Sequence, residues 1–161
     1  MACERGLLPL RVPRWIDLPP IWLAGFCALA WGQARVYPLN LEFPGAWVDL
    51  LGGLCVGGGI VLMALAFYEM RRQRTTVIPH REASQLVITG IFSRTRNPIY
   101  LGDTLVLTGL ILYWDAVLAL PLIPIFVWVI EKRVIVPEED RLRRKFRLEF
   151  ARYVEKVRRW V

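Results

Sequence analysis

The sequence predicts an all-α, polytopic integral membrane protein, with about four membrane-embedded helices followed by a C-terminal amphipathic helix on the cytoplasmic side. Three observations carry that expectation. Of the 161 residues, 55% are hydrophobic and the mean hydropathy is +0.39, both high for a water-soluble chain of one domain. The apolar residues lie in four uncharged blocks, roughly 18–34, 50–68, 104–114 (extendable back to Ile99 across Asp103) and 116–130. The net charge of +7 arises from 21 Lys and Arg that fall almost entirely in three stretches separated by pairs of those blocks.

Arg5, Arg11 and Arg14 precede the first block, and Arg71, Arg72, Arg74, Arg81, Arg94 and Arg96 lie between the second and third. The eleven from Lys132 to Arg159 follow the fourth, and Arg35 alone falls elsewhere. Four crossings put the three stretches on one face. The positive-inside bias makes that face cytoplasmic, with both termini there and the loops near Asn40 and Asp115 outside. The basicity then reflects topology and attraction to anionic membrane lipids, and no nucleic-acid partner is expected. His80 is the only histidine, and Cys3, Cys27 and Cys55 show no ligand spacing. Neither a metal site nor a disulfide framework is expected, and with no Ala-x-Ala-like site, neither is a cleavable signal.

The first block opens at Pro19-Pro20, with Trp15 and Trp22 at a headgroup level, and ends near Gln33 and Arg35. Val36 to Gly45 holds two Pro and a Gly, as a short outer connection would. The second block alone has about the twenty residues of a full crossing. Its Gly53 and Gly57 form a GxxxG pair suited to close helix packing. These two blocks make an N-terminal helix pair (1–70) within a single domain (1–161), ahead of a core over 71–161. From Glu69 to Arg96, Pro79 and β-branched residues predict an extended lid or loop, and His80 within it is assigned no role.

The stretch GIFSRTRNPIYLG, Gly90 to Gly102, sits where that basic segment meets the third block. Pro98 biases Asn97 away from helix and favours a helix start. Arg94 and Arg96 therefore lie at a helix N-terminus, where unpaired amides and the positive dipole end suit a carboxylate or phosphate. Asp103, one turn in, is costly in a membrane unless paired. A salt bridge to Arg94 or Arg96 is the first expectation, and a ligand-facing carboxylate the alternative. Pro121 and Pro124 are expected to kink the fourth block and open a gap for a hydrophobic tail.

Pro137 is expected to open a final helix whose first turn, Glu138, Glu139 and Asp140, has the acidity the dipole favours. Leu142, Phe146, Phe150, Tyr153, Val157 and Trp160 recur at spacings of 4, 4, 3, 4 and 3, which predicts one apolar stripe. Such a helix would lie on the membrane surface or against the core. Its acidic start and the RNPIY turn both emerge at the cytoplasmic ends of neighbouring blocks, so a two-part polar site is expected.

These residues resemble the isoprenylcysteine carboxyl methyltransferases and related small bacterial membrane methyltransferases, with phospholipid N-methyltransferases as more distant relatives. The resemblance runs from about Thr75 to Val161. It rests on GIF at 90–92, RNPIYLG at 96–102, the Glu138-Glu139 pair and the late Tyr153. Departures are Ile91 for Pro, Phe92 for Tyr, Asn97 where many members have His, and Arg147 where Gly is common. The resemblance implies an integral multi-pass enzyme of a bacterial inner membrane. It would bind S-adenosyl-L-methionine at the cytoplasmic face and methylate a lipophilic acceptor, a small molecule or lipid-modified group arriving from the bilayer.

By the same resemblance, Arg96, Asn97, Pro98 and Tyr100 line the cofactor, Gly102 allows close approach, and Glu138 and Glu139 form the opposite wall. Arg96 or Arg143 would hold the cofactor carboxylate, and Arg96, Asn97, Glu138 and Glu139 would be the catalytic group. Methyl transfer to a carboxylate or thiolate needs alignment and dryness. An amine must first lose a proton, for which Glu138, Glu139 or Asp103 would be required. Phospholipid amine N-methylation and a non-enzymatic membrane scaffold are the alternatives.

Overall fold

The computed structural model describes residues 19–36, 45–74 and 85–161; Trp15, Asn40 and His80 lie outside them. The described residues are helical, with no strand among them. In chain order they form α1 (Pro19–Val36), α2 (Ala46–Arg72), a 3-10 turn (Gly90–Ser93), α3 (Pro98–Tyr113) and a second 3-10 turn (Val117–Ala119). A short α4 (Leu122–Ile130), a π-helical turn (Glu131–Ile135) and α5 (Val136–Lys156) complete the chain.

Each apolar block becomes a helical segment, but the four differ greatly in reach. The 27 residues of α2 span about 40 Å at 1.5 Å per residue. Among the described residues it is the one helix long and apolar enough to cross a membrane, and only 17% of its most apolar stretch is buried inside the protein. A core helix of a soluble protein would be covered instead. Trp47, Leu50, Leu54, Ile60, Val61 and Leu65 all remain exposed on it, an apolar surface suited to lipid. The 16 residues of α3 and nine of α4 are shorter.

The expected kink in the fourth block is replaced by a late start. Pro121 precedes α4 as its cap, and Pro124 lies in its first turn, where a missing backbone donor costs nothing. Nor does Pro137 begin a separate helix. Ile135 and Val136 keep helical dihedrals on either side of the junction, so α4 runs through the π turn into α5. A proline ring clashes with the carbonyl four residues back, and a widened turn immediately before Pro137 is a common way for a helix to absorb that conflict.

The seam between α2 and α3 is made of glycines, though not the GxxxG pair. A Cβ on Gly109 would lie 2.5 Å from the Gly52 carbonyl oxygen, and one on Gly102 would lie 2.7 Å from that of Gly59. The two pairs run in opposite directions along the helices, which are therefore antiparallel. Gly52, Gly59 and Ala66 are seven apart and all buried; a seven-residue step returns to nearly the same helix face. Gly53 and Gly57, four apart, meet nothing within 4 Å. Gly102 thus packs against α2 at this seam.

The core has two parts. Phe26 of α1 meets Phe126 of α4 edge to face, with ring centroids 5.3 Å apart, beside Ala30, Leu107, Ile111 and Ile130. The second part gathers Phe150, Tyr153 and Val157 with Leu86, Leu142 and Phe146. It overturns the single long stripe. A straight helix would separate residues 139 and 159 by about 30 Å, yet their side chains meet at 2.7 Å. The chain reverses at Arg147, whose backbone is non-helical at φ 36° and ψ −103°. The stripe closes on itself as a helical hairpin, Val157 leaves the helix with extended backbone, and Trp160 packs against the first core part.

Two stability effects follow. Gly109→Ala is expected to destabilise by about 1–3 kcal/mol, since backbone must move, while Gly57→Ala is expected to be neutral or stabilising by up to about 1 kcal/mol; thermal unfolding in detergent compares them. Arg147→Gly removes the cost of a positive φ at a residue with a Cβ, and the same assay is expected to show a gain on the order of 1 kcal/mol.

Candidate active site

Where α3 begins, Pro98 is fully buried and Asn97 is the preceding cap residue. The Asn97 side chain does not cap its own helix. Its amide nitrogen donates instead to the Arg159 carbonyl at 3.0 Å. The Thr95 hydroxyl donates to the same carbonyl at 3.2 Å, and the Arg96 backbone N–H donates to the Arg158 carbonyl at 3.1 Å. The C-terminal residues therefore run alongside the RNP turn and hold it from behind.

The two motifs meet as expected. The Tyr100 hydroxyl donates to Glu138 Oε2 at 2.9 Å, and Arg96 Nη1 lies 3.3 Å from Glu139 Oε1. These contacts join the start of α3 to the first turn of α5. Arg159 adds a third arm. Its Nε and Nη2 donate to the two oxygens of Glu139 at 3.2 and 2.7 Å, and its Nη1 donates to Glu131 at 2.6 Å. The hydrogen bond with Glu139 raises the Arg159 guanidinium above its already high ordinary value, against the opposing effect of burial. It is therefore charged at any working pH.

Arg96, Asn97, Glu138 and Glu139 border a cavity that is partly open to solvent, its empty space together with that solvent amounting to about 600 Å³. Phe92, Phe150, Tyr153, Leu142 and Ile135 supply its apolar and aromatic side. The Tyr153 hydroxyl donates to the Phe92 carbonyl at 2.6 Å. Burial raises the pKa of this phenol, so it stays a neutral donor. Arg96 Nε is buried and has no hydrogen-bond partner among the described residues. A buried unpaired donor on a cation is costly, and here the cation borders a cavity.

Of the sequence-predicted residues, four border the cavity and Tyr100 supports one of them through Glu138. Pro98 shapes the turn from below, and Gly102 faces α2. Arg143 is exposed and pairs with Asp140 at 3.8 Å, away from the cavity lining. Asp103 is buried and pairs with neither Arg94 nor Arg96; Arg96 lies against Glu139 instead. Sequence reading missed Phe150, Arg159 and Glu131. Phe150 was visible as part of the apolar stripe, whereas Arg159 was one of eleven basic residues with nothing to distinguish it.

The described residues thus form an all-helical fold with one helix long and apolar enough to cross a membrane and a cavity of mixed polar and aromatic lining where the start of α3 meets α5. The sequence profile of the phospholipid methyltransferase family matches residues 47–149, from the start of α2 into α5 and across both motifs. The chain belongs to that family, which is related to the isoprenylcysteine carboxyl methyltransferases. No curated protein and no solved structure matches it significantly.

Proposed function

We propose that the chain is a multi-pass membrane methyltransferase that uses S-adenosyl-L-methionine at its cytoplasmic face and acts on a lipophilic acceptor. The observation that carries this reading is the junction of Arg96 and Tyr100 with Glu139 and Glu138 beside one aromatic-lined cavity. The cofactor has a carboxylate, an ammonium, a sulfonium, a ribose diol and an adenine. The Arg96 guanidinium, which borders the cavity and has one nitrogen without a partner among the described residues, suits its carboxylate. Glu138, held by Tyr100, suits the ammonium or the ribose hydroxyls, and Phe92 and Phe150 suit the adenine.

When bound, the cofactor supplies a sulfonium methyl open to in-line displacement. The chain's part is to align and to exclude water. Arg96 and Glu138 fix the ligand from opposite sides, and Leu142, Ile135 and Phe150 keep the cavity dry. Asn97 sets the turn that aims Arg96. The topology belongs to the same reading: α1 to α4 embedded, with the basic stretches and the site together on the cytoplasmic side.

Two acceptor classes remain within it. Both oxygens of Glu139 and one of Glu138 accept hydrogen bonds from this chain, which favours an isoprenylcysteine-type carboxylate or thiolate, because such an acceptor needs no base. The family match favours a phospholipid amine.

Calorimetric titration of the detergent-purified, lipid-supplied protein with S-adenosylhomocysteine is expected to give micromolar binding. Losses of roughly tenfold or more are expected for Arg96→Gln and for Glu138→Gln, each of which removes a charged hydrogen-bonding group. A folded parent that does not bind would overturn the reading. Given turnover, the rate on a carboxylate acceptor is expected to be flat above about pH 6, whereas an amine acceptor gives a rate rising about tenfold per unit up to its own pKa.

A further inference from the structure

Beyond Lys156 the chain makes a strap. Val157 is extended, and the carbonyls of Arg158 and Arg159 receive donors from Thr95, Arg96 and Asn97. The strap's backbone thus matches the RNP turn, and its one inward cation meets α5. The Arg159 side chain is 32% exposed and is not among the residues bordering the cavity, so it stands behind Glu139 as seen from the ligand space.

Glu139 is where the two cations converge. Its Oε1 lies 3.2 Å from Arg159 Nε and 3.3 Å from Arg96 Nη1, and its Oε2 takes Arg159 Nη2 at 2.7 Å. The fork of Arg159 meets both carboxylate oxygens, a geometry that fixes the plane as well as the position of the acceptor. Glu131, on the π turn, anchors the remaining nitrogen at 2.6 Å. Arg96 touches only one edge of that carboxylate. Its aim is therefore set by a group that is itself aimed by Arg159.

We infer that Arg159 is a positioning residue for ligand recognition. By holding Glu139 in one orientation it holds Arg96, and so presents the Arg96 guanidinium, which borders the cavity, to the carboxylate end of the bound molecule. Glu139 is then an internal counter-ion, and the two adjacent carboxylates divide their tasks, with Glu138 turned to the ligand. The inference rests on the cofactor reading above and adds to it a residue at the far end of the chain. It also requires that the effect of Arg159 be confined to one end of the ligand.

The test compares two probes on the full-length protein in detergent and lipid: S-adenosylhomocysteine, and 5′-methylthioadenosine, which keeps the adenosine and thioether but lacks the amino-acid end. Arg159→Gln is expected to weaken the first about tenfold and the second less than about twofold, with Arg159→Lys recovering part of the loss as a point charge without the fork. Arg158→Gln, which keeps its backbone carbonyl, is expected to bind both as the parent does. Should Arg159→Gln not fold, Glu131→Gln loosens the same side chain and is expected to cost S-adenosylhomocysteine alone about threefold. Equal loss of both probes, or no loss in a folded variant, would overturn the positioning role. A parent that binds neither probe would overturn the cofactor reading and this inference with it.

Discussion

The carboxylate of Glu139 is the point on which the cavity end of this protein depends. It is almost wholly buried, and a buried charge is tolerable only where opposite charges and hydrogen bonds surround it. Its partners come from the start of α3 and from the last residues of the chain, stretches separated by more than fifty positions. Arg96 and Arg159 are both drawn to it, and Asn97 and Thr95 fasten the same strap through its backbone. Satisfying one carboxylate thus brings three parts of the chain into register. Breaking it would leave two guanidinium groups facing each other across the gap.

That arrangement exists only because α5 turns back. The reversal uses an Arg in a backbone conformation that L side chains rarely adopt. The local strain is offset by the apolar cluster of Phe150, Tyr153 and Val157 against Leu142 and Phe146, together with the charges gathered at Glu139. A Gly at this position would make such a turn without a Cβ to strain. Here the cluster and the ion pairs determine the turn, and Arg147 follows.

Much of the site could be read from the residues, because its signals are local. Pro98 forces a helix start, a Glu pair opens the next amphipathic helix, and block ends on the same side bring the two together. The hairpin in α5 was hidden by its own periodicity. Both arms feed one cluster, so apolar spacings of three and four continue through the reversal as if the helix were straight. The helix seam was misread for a related reason. GxxxG is the familiar spacing, but Gly53 and Gly57 face outward, and the contact uses glycines seven apart that no short motif selects. Arg159 carried no signal, since charge alone does not distinguish a solvated Arg from one that folds back onto a carboxylate.

The glycine seam determines which helices move together. Where Gly52 meets Gly109 and Gly59 meets Gly102, backbone lies on backbone, and there are no rotamers to turn aside. The α2–α3 pair is accordingly a stiff column with no play between its members. By contrast, α1 and α4 touch through Phe26, Phe126 and other large buried side chains. A shift of α1 against α4 is thus taken up by those rings, whereas the column moves as one piece.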